Sequence, residues 1–150
     1  MVDSYIVETR ETKPNDHPQE PRAHLDILVV DDDRLVLDVV SEIILASGHQ
    51  ARTAESGPAA LDSLAQQPCD LVISDIRMPE MDGFELAGHI RSKYPAIHVV
   101  LMTGYSSDST FREAMRLDID AYLSKPFKAA DLGKILDTIH ATGNRKPSSP

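Results

Sequence analysis

The chain has one cysteine, Cys69, and no tryptophan. A lone thiol cannot close an internal disulfide, so the fold is expected to hold by packing alone, in a reducing, cytoplasmic setting. No histidine or asparagine lies near Cys69 in sequence to activate it, which makes it a small buried or half-buried residue rather than a nucleophile. No apolar run approaches the roughly 20 residues that a bilayer-spanning helix needs. Residues 1–24 lack the basic-then-apolar order of a secretory signal. Positive charge is also scarce: 15 Lys and Arg stand against 24 Asp and Glu, for a formal net charge of −9. Without a basic stripe to track a phosphate backbone, direct nucleic-acid binding is not expected. The six histidines, His17, His24, His49, His89, His98 and His140, show no ligand spacing with Cys69 or with each other, which argues against zinc.

What remains is enough for one core. The 150 residues, 41% of them hydrophobic, suit a single domain. Residues 1–24 mix charge with three prolines and keep no period, so they read as a flexible extension, with the short run YIV as a segment able to pack or bind a partner. Residues 143–150 read as a C-terminal tail. Between them, over residues 25–142, strand-like and helix-like segments alternate. LDILVV precedes LVLDVVSEIILASG, where Gly48 offers a left-handed stop, and the alternation continues through HQARTA, GPAALDSLAQQ, DLVISD, DGFELAGHIRSKY, AIHVVLMTG, SSDSTFREAMRL, DAYLSK and KAADLGKILDTIHA. Runs such as LVIS and VVLM leave no wet face. They fit a parallel sheet covered by helices on both sides, a doubly wound α/β fold of five strands and five helices.

In such sheets the chemistry gathers beyond the carboxyl ends of the strands. There the sequence reads Asp31-Asp32-Asp33, then Asp75, then Thr103-Gly104, then Lys125-Pro126. Each has an ordinary role when taken alone: Asp33 as a helix N-cap, Asp31 and Asp32 as solvated loop, Thr103 as a turn hydroxyl, Lys125 as a surface cation. Together they concentrate negative charge at one edge, which is costly unless a cation sits there. Magnesium prefers oxygen and is usually held by one or two carboxylates plus a phosphate, which suits Asp31, Asp32 and Asp75. Lys125 and Thr103 are suited to phosphoryl oxygens.

Four signatures in order, ILVVDDD, LVISDIRMPEMDG, VVLMTGY and AYLSKPF, resemble the receiver domain of two-component response regulators over about residues 25–142. The resemblance implies a flavodoxin-like sheet of strand order 2-1-3-4-5. It implies Asp75 as phosphoacceptor from a histidine kinase or histidine phosphotransfer protein, and Mg2+, with Mn2+ as a substitute, held by Asp31, Asp32, Asp75 and the backbone carbonyl of Arg77. Thr103 and Tyr122 are the implied switch pair, Lys125 the phosphate-sensing lysine, and Lys125-Pro126 a cis peptide. Arg77 and Tyr105 stand two residues beyond Asp75 and Thr103, where they are expected to hinder attacking water and lengthen the phosphorylated lifetime. A homodimer through the fourth and fifth helices is consistent with the same resemblance. One departure is Asp118-Ile119, where many receivers carry Gly-Ala; a left-handed backbone there suits Asp less well than Gly.

Two other readings compete with this switch. An Asp-nucleophile phosphatase of the haloacid dehalogenase type would use Asp31 in Asp31-x-Asp33, but leaves Asp75 and MPEMDG without a purpose. A receiver-like binding module independent of phosphorylation should lack an acidic or lysine position, and none is missing. Beyond residue 142 little chain remains for an output domain, so the expectation is a stand-alone regulator or a receiver cut from a longer protein; a stand-alone receiver acts by docking to another protein, as a target or as a phosphoryl relay.

Overall fold

The computed structural model describes residues 23–143, and the expectations for the extension at 1–22 and the tail at 144–150 lie outside the described residues. In chain order the elements are β1 (Asp26–Val30), α1 (Arg34–Ala46), β2 (Gln50–Ala54), α2 (Gly57–Gln66), β3 (Leu71–Asp75), α3 (Gly83–Lys93), β4 (His98–Thr103), α4 (Asp108–Arg116), β5 (Ala121–Ser124) and α5 (Ala129–Thr142). The strands form one parallel sheet in the order β2-β1-β3-β4-β5. The expected fold class and strand order both stand, with boundaries shifted by a residue or two.

Alternation along the strands sorts the core into two layers. Ile27, Val29, Ile73, Val100 and Met102 face α1 and α5, meeting Leu37, Val40, Ile44, Leu132 and Leu136. Leu28, Val30, Val72, Val99 and Leu101 face α2, α3 and α4, meeting Ala60, Leu64, Leu86, Ile90 and Ala114. All residues of β3 and β4 are buried, the pattern of central strands covered on both faces.

Four of the five helices, α1 to α4, begin where an oxygen-bearing side chain caps the first turn. Asp33 accepts from the Leu35 amide, Ser56 from Ala59, Asp82 from Glu85 and Ser107 from Thr110. Each cap satisfies an amide that the first helical turn leaves without a partner. Asp82 and Glu85 form a reciprocal capping box, which fixes where α3 starts after the loop from β3.

The departure at Asp118 is resolved locally. Its φ is 55°, in the left-handed region, and its carbonyl accepts from Arg91 Nε at 3.2 Å. Arg91 also donates to the Ile97 carbonyl, and Asp120 accepts from the Val99 amide at 2.8 Å. Asp118 and Ile119 therefore enter β5 through a turn tied to α3 and β4. The peptide between Lys125 and Pro126 is cis.

Leu101 is fully buried in the middle of β4. Leu101→Ala is expected to lower unfolding free energy by about 2–5 kcal/mol in urea titrations, the range for a core leucine that leaves a cavity. A loss well below that range would contradict the two-layer packing.

Candidate functional site

Strand register assembles the site. Val30 of β1 pairs with Ser74 of β3, so Asp31 and Asp75 leave the sheet side by side. Asp75 in turn pairs with Met102, which sets Thr103 one residue beyond it, and Thr103 pairs with Ser124, which sets Lys125 beyond that. The Lys125 amide donates to the Thr103 carbonyl at 2.7 Å, holding the β5 exit against β4. Four separated pieces of sequence thus meet at one edge.

Oxygens of Asp31, Asp32 and Asp75 all lie within 4.8 Å of one another. Asp31 and Asp75 are buried, at 1% and 8% exposure, whereas Asp32 is exposed. The Lys125 ammonium spans the buried pair, 3.2 Å from Asp31 Oδ2 and 3.1 Å from Asp75 Oδ1. Asp31 also accepts from the Asp33 amide at 2.9 Å, which fixes its carboxylate before α1 begins. Burial pushes the Asp75 carboxyl above its ordinary range, and the Asp31 charge adds to this, only partly offset by Lys125. Asp31 is raised as well, by burial first, against the Asp33 amide and Lys125. For Lys125, burial works against the charged form, but the attraction of Asp75 and Asp31 outweighs it and raises the ammonium above its usual value.

This set fits a hard divalent cation. Its donors are all carboxylate oxygens, two of them buried beside a single ammonium, and further positive charge would relieve the repulsion that burial leaves.

The remaining expected residues surround this centre. Thr103 is 1% exposed, and its hydroxyl is engaged with the backbone of Tyr105, donating to the carbonyl at 2.9 Å and accepting from the amide at 3.0 Å. Tyr122 is half-buried on β5. Its hydroxyl lies 3.2 Å from Ser106 Oγ, and its ring meets Phe111 edge-on at 5.7 Å. Arg77 is exposed, and its guanidinium lies 4.8 Å from the centre of the Tyr105 ring, which is itself 60% exposed. Both line a groove of about 530 Å³ with Ile76, Met78, Thr103 and Thr110, beside the loop that follows Asp75. Asp33 stands apart, its carboxylate committed to the Leu35 amide at the start of α1.

Sequence reasoning did not single out Gly83. A Cβ there would lie 2.4 Å from the Asp75 carbonyl oxygen and 2.8 Å from Ile76 Cα. The absence of a side chain lets the first turn of α3 press against the backbone of the acidic residue, and the Gly83 amide donates to the Ile76 carbonyl at 2.7 Å. The available signal is the Asp82-Gly83 pair, seven and eight residues after Asp75, which marks the helix start without showing the contact. Phe111 was missed too, since its approach to Tyr122 depends on how α4 packs.

The family model for the response regulator receiver domain matches residues 27–137. The response regulator protein FleR of Pseudomonas aeruginosa is 44% identical over 119 residues, covering 78% of this chain and 24% of that protein. The transcriptional regulatory protein ZraR of Escherichia coli is 37% identical over 129 residues, covering 83% of this chain and 29% of its own length. The chain therefore spans about a quarter of the curated relatives it matches. Among solved structures, the Vibrio cholerae chemotaxis protein CheY4 superposes with a TM-score of 0.73 at 30% identity, over 78% of this chain and 99% of its own. NtrX of Brucella abortus gives 0.75 at 32% identity, over 79% of this chain and 28% of its own.

The raised Asp75 value carries a stability consequence. A carboxyl held above its unfolded value favours the fold fully only below the ordinary carboxylate range, and that contribution is lost as pH rises through the elevated folded value. At neutral pH Asp75→Asn is expected to raise the thermal midpoint in metal-free buffer by a few degrees, the shift given by about 1 kcal/mol in a domain of this size. An unchanged or lower midpoint in the presence of a chelator would contradict the electrostatic reading.

Proposed function

The chain belongs to the response regulator receiver domain family, and on that premise we propose that it is a phosphorylation-operated switch with Asp75 as phosphoacceptor. The observation that carries this is the placement of Asp75 at the end of β3, with Asp31 and Asp32 clustered against it and Lys125 Nζ 3.1 Å away. We place the receiver at residues 25–142, around the matched segment. The phosphatase alternative loses its second acid, because Asp33 caps α1 instead of facing Asp31.

In the proposed reaction an Asp75 oxygen attacks the phosphorus of a phosphohistidine on a histidine kinase or histidine phosphotransfer protein. The O–P bond forms as the N–P bond breaks, and the leaving nitrogen keeps the bonding pair. A carboxylate is a weak nucleophile, so the rate depends on in-line placement and on neutralising the phosphoryl oxygens. Asp31, Asp32, Asp75 and the Arg77 carbonyl would hold Mg2+, or Mn2+ in its place, which supplies that neutralisation on one side. Lys125 supplies it on the other, exchanging its contact with Asp75 Oδ1 for a phosphoryl oxygen. The chain thus promotes only its own phosphorylation and dephosphorylation.

The output follows from bonds that the phosphoryl group would compete for. The Thr103 hydroxyl now binds the Tyr105 backbone, and redirecting it to a phosphoryl oxygen pulls on the β4–α4 loop. Tyr122, now joined to Ser106 and Phe111 of the same region, turns inward as that loop moves. Such a contact available in one state only shifts a pre-existing equilibrium. The surface of α4, β5 and α5 then docks a protein target or a second copy of the chain. ZraR is a transcriptional regulatory protein, but this chain covers 29% of it, and the acidic receiver itself is not suited to direct contact with nucleic acid. Among the described residues no helix is long and apolar enough to cross a membrane, and we place the protein in the cytoplasm, where histidine kinases present their phosphoryl groups.

Arg77 and Tyr105, stacked at the mouth of the groove, are proposed to slow attack of water on the acyl phosphate. The competing reading is two solvent-facing side chains with no kinetic effect.

Incubation with a small acyl phosphate and Mg2+ is expected to add one phosphoryl group, seen by intact mass. Asp75→Ala abolishes it, and Lys125→Ala slows it by about a hundredfold or more. A persistent adduct in Asp75→Ala would point to Asp31 instead. Dephosphorylation of the Arg77→Ala, Tyr105→Ala double variant is expected to be several-fold faster, and an unchanged or slower rate would refute the lifetime role.

A further inference from the structure

We infer that Gly57, at the start of α2, is a positioning residue for Asp75, acting through Met81 and the loop that joins β3 to α3. The inference rests on the phosphorylation reading above. A Cβ at Gly57 would fall 2.6 Å from Met81 Sδ and 2.9 Å from both its Cγ and its Cβ. A change of rotamer carries Sδ away, but the Met81 Cβ is fixed to the backbone and cannot follow. Any side chain at residue 57 therefore displaces the loop itself.

The loop has little freedom to absorb that displacement. The Met81 amide donates to the Pro79 carbonyl at 2.7 Å, and the Gly83 amide to the Ile76 carbonyl at 2.7 Å. Glu80 sits at φ 72°, a left-handed conformation uncommon for a residue with a side chain. Met81 also packs against the core layer shared by α2 and α3. Two residues on, Gly83 presses on the Asp75 carbonyl, where a Cβ would already be 2.4 Å away. A shift at Met81 is thus delivered to the backbone that carries the reacting carboxylate. α2 contributes no side chain to the site, yet its first residue forms the outer wall of the loop.

Conformation does not explain this glycine. Its φ is not positive, unlike those of Gly48 and Gly143, and Pro58 follows it at a position where helices accept proline. Alanine is ordinarily the better residue in a helix. Space, not backbone freedom, is what residue 57 provides. Gly88 in α3 offers the contrast, because a Cβ there meets nothing within 4 Å.

The test compares wild type, Gly57→Ala and Gly88→Ala in the full chain. Mg2+ affinity is measured by titration through the Asp75 and Ile76 amide resonances, and phosphorylation by a small acyl phosphate is measured alongside. Gly57→Ala is expected to weaken Mg2+ binding about tenfold, the scale at which groups supporting a metal's ligands act. Its phosphorylation slows at least as much, and Gly88→Ala matches wild type in both. Wild-type Mg2+ affinity in Gly57→Ala overturns the inference whatever its melting temperature, because a purely structural role shifts stability alone. Equal weakening in both variants overturns it too. If wild type takes up no phosphoryl group while Gly57→Ala still weakens Mg2+ binding selectively, the phosphorylation reading fails and the positioning role stands.

Discussion

The Lys125 ammonium between Asp31 and Asp75 is the contact on which the site depends. Two buried carboxylates side by side are unfavourable, and one lysine offsets only part of the cost, since both acids remain raised. With Asp32 added the edge is still short of positive charge. That deficit suits the site to a cation, because a divalent ion would lower the free energy of the same cluster that, in the proposed reaction, receives the phosphoryl group.

The sheet makes this arrangement tolerable. Parallel strands in register deliver Asp31, Asp75, Thr103 and Lys125 to one edge, while the apolar strand interiors keep β1, β3 and β4 fixed in the core. An acid one residue earlier in β3 would be enclosed by helices on both faces, and one residue later it would sit in the loop. Side-chain caps then start α1 to α4, so Asp33, Ser56, Asp82 and Ser107 satisfy the helix amides and leave Asp75 to the site.

Much of this was legible in sequence, for physical reasons. Apolar runs such as LVIS mark buried parallel strands, and the fold class fixes which ends of those strands carry chemistry. Asp31, Asp75, Thr103 and Lys125 were found that way, and the Asp33 cap was readable from its place before a helix. Other features depend on distances that no pattern encodes. The role expected of Thr103 toward a phosphoryl oxygen is legible from its place after β4, whereas the engagement of its hydroxyl with the Tyr105 backbone depends on how the following loop folds back. Arg77 and Tyr105 were paired by position, yet their stacking follows from how two loops converge. Gly57 carries nothing that marks it in sequence and Gly83 only its place after Asp82 at a helix start, because the contribution of both is room. The departure at Asp118-Ile119 is legible in sequence, but the left-handed turn and its anchoring by Arg91 depend on α3 and β5 being in place.

The central claim is that Asp75, and no other acid of the cluster, forms the acyl phosphate. Borohydride reduces an aspartyl phosphate to homoserine, so reduction of the phosphorylated chain followed by peptide sequencing reads the position directly. Homoserine at residue 75 is the expected result; homoserine at residue 31, or none at all, would contradict it.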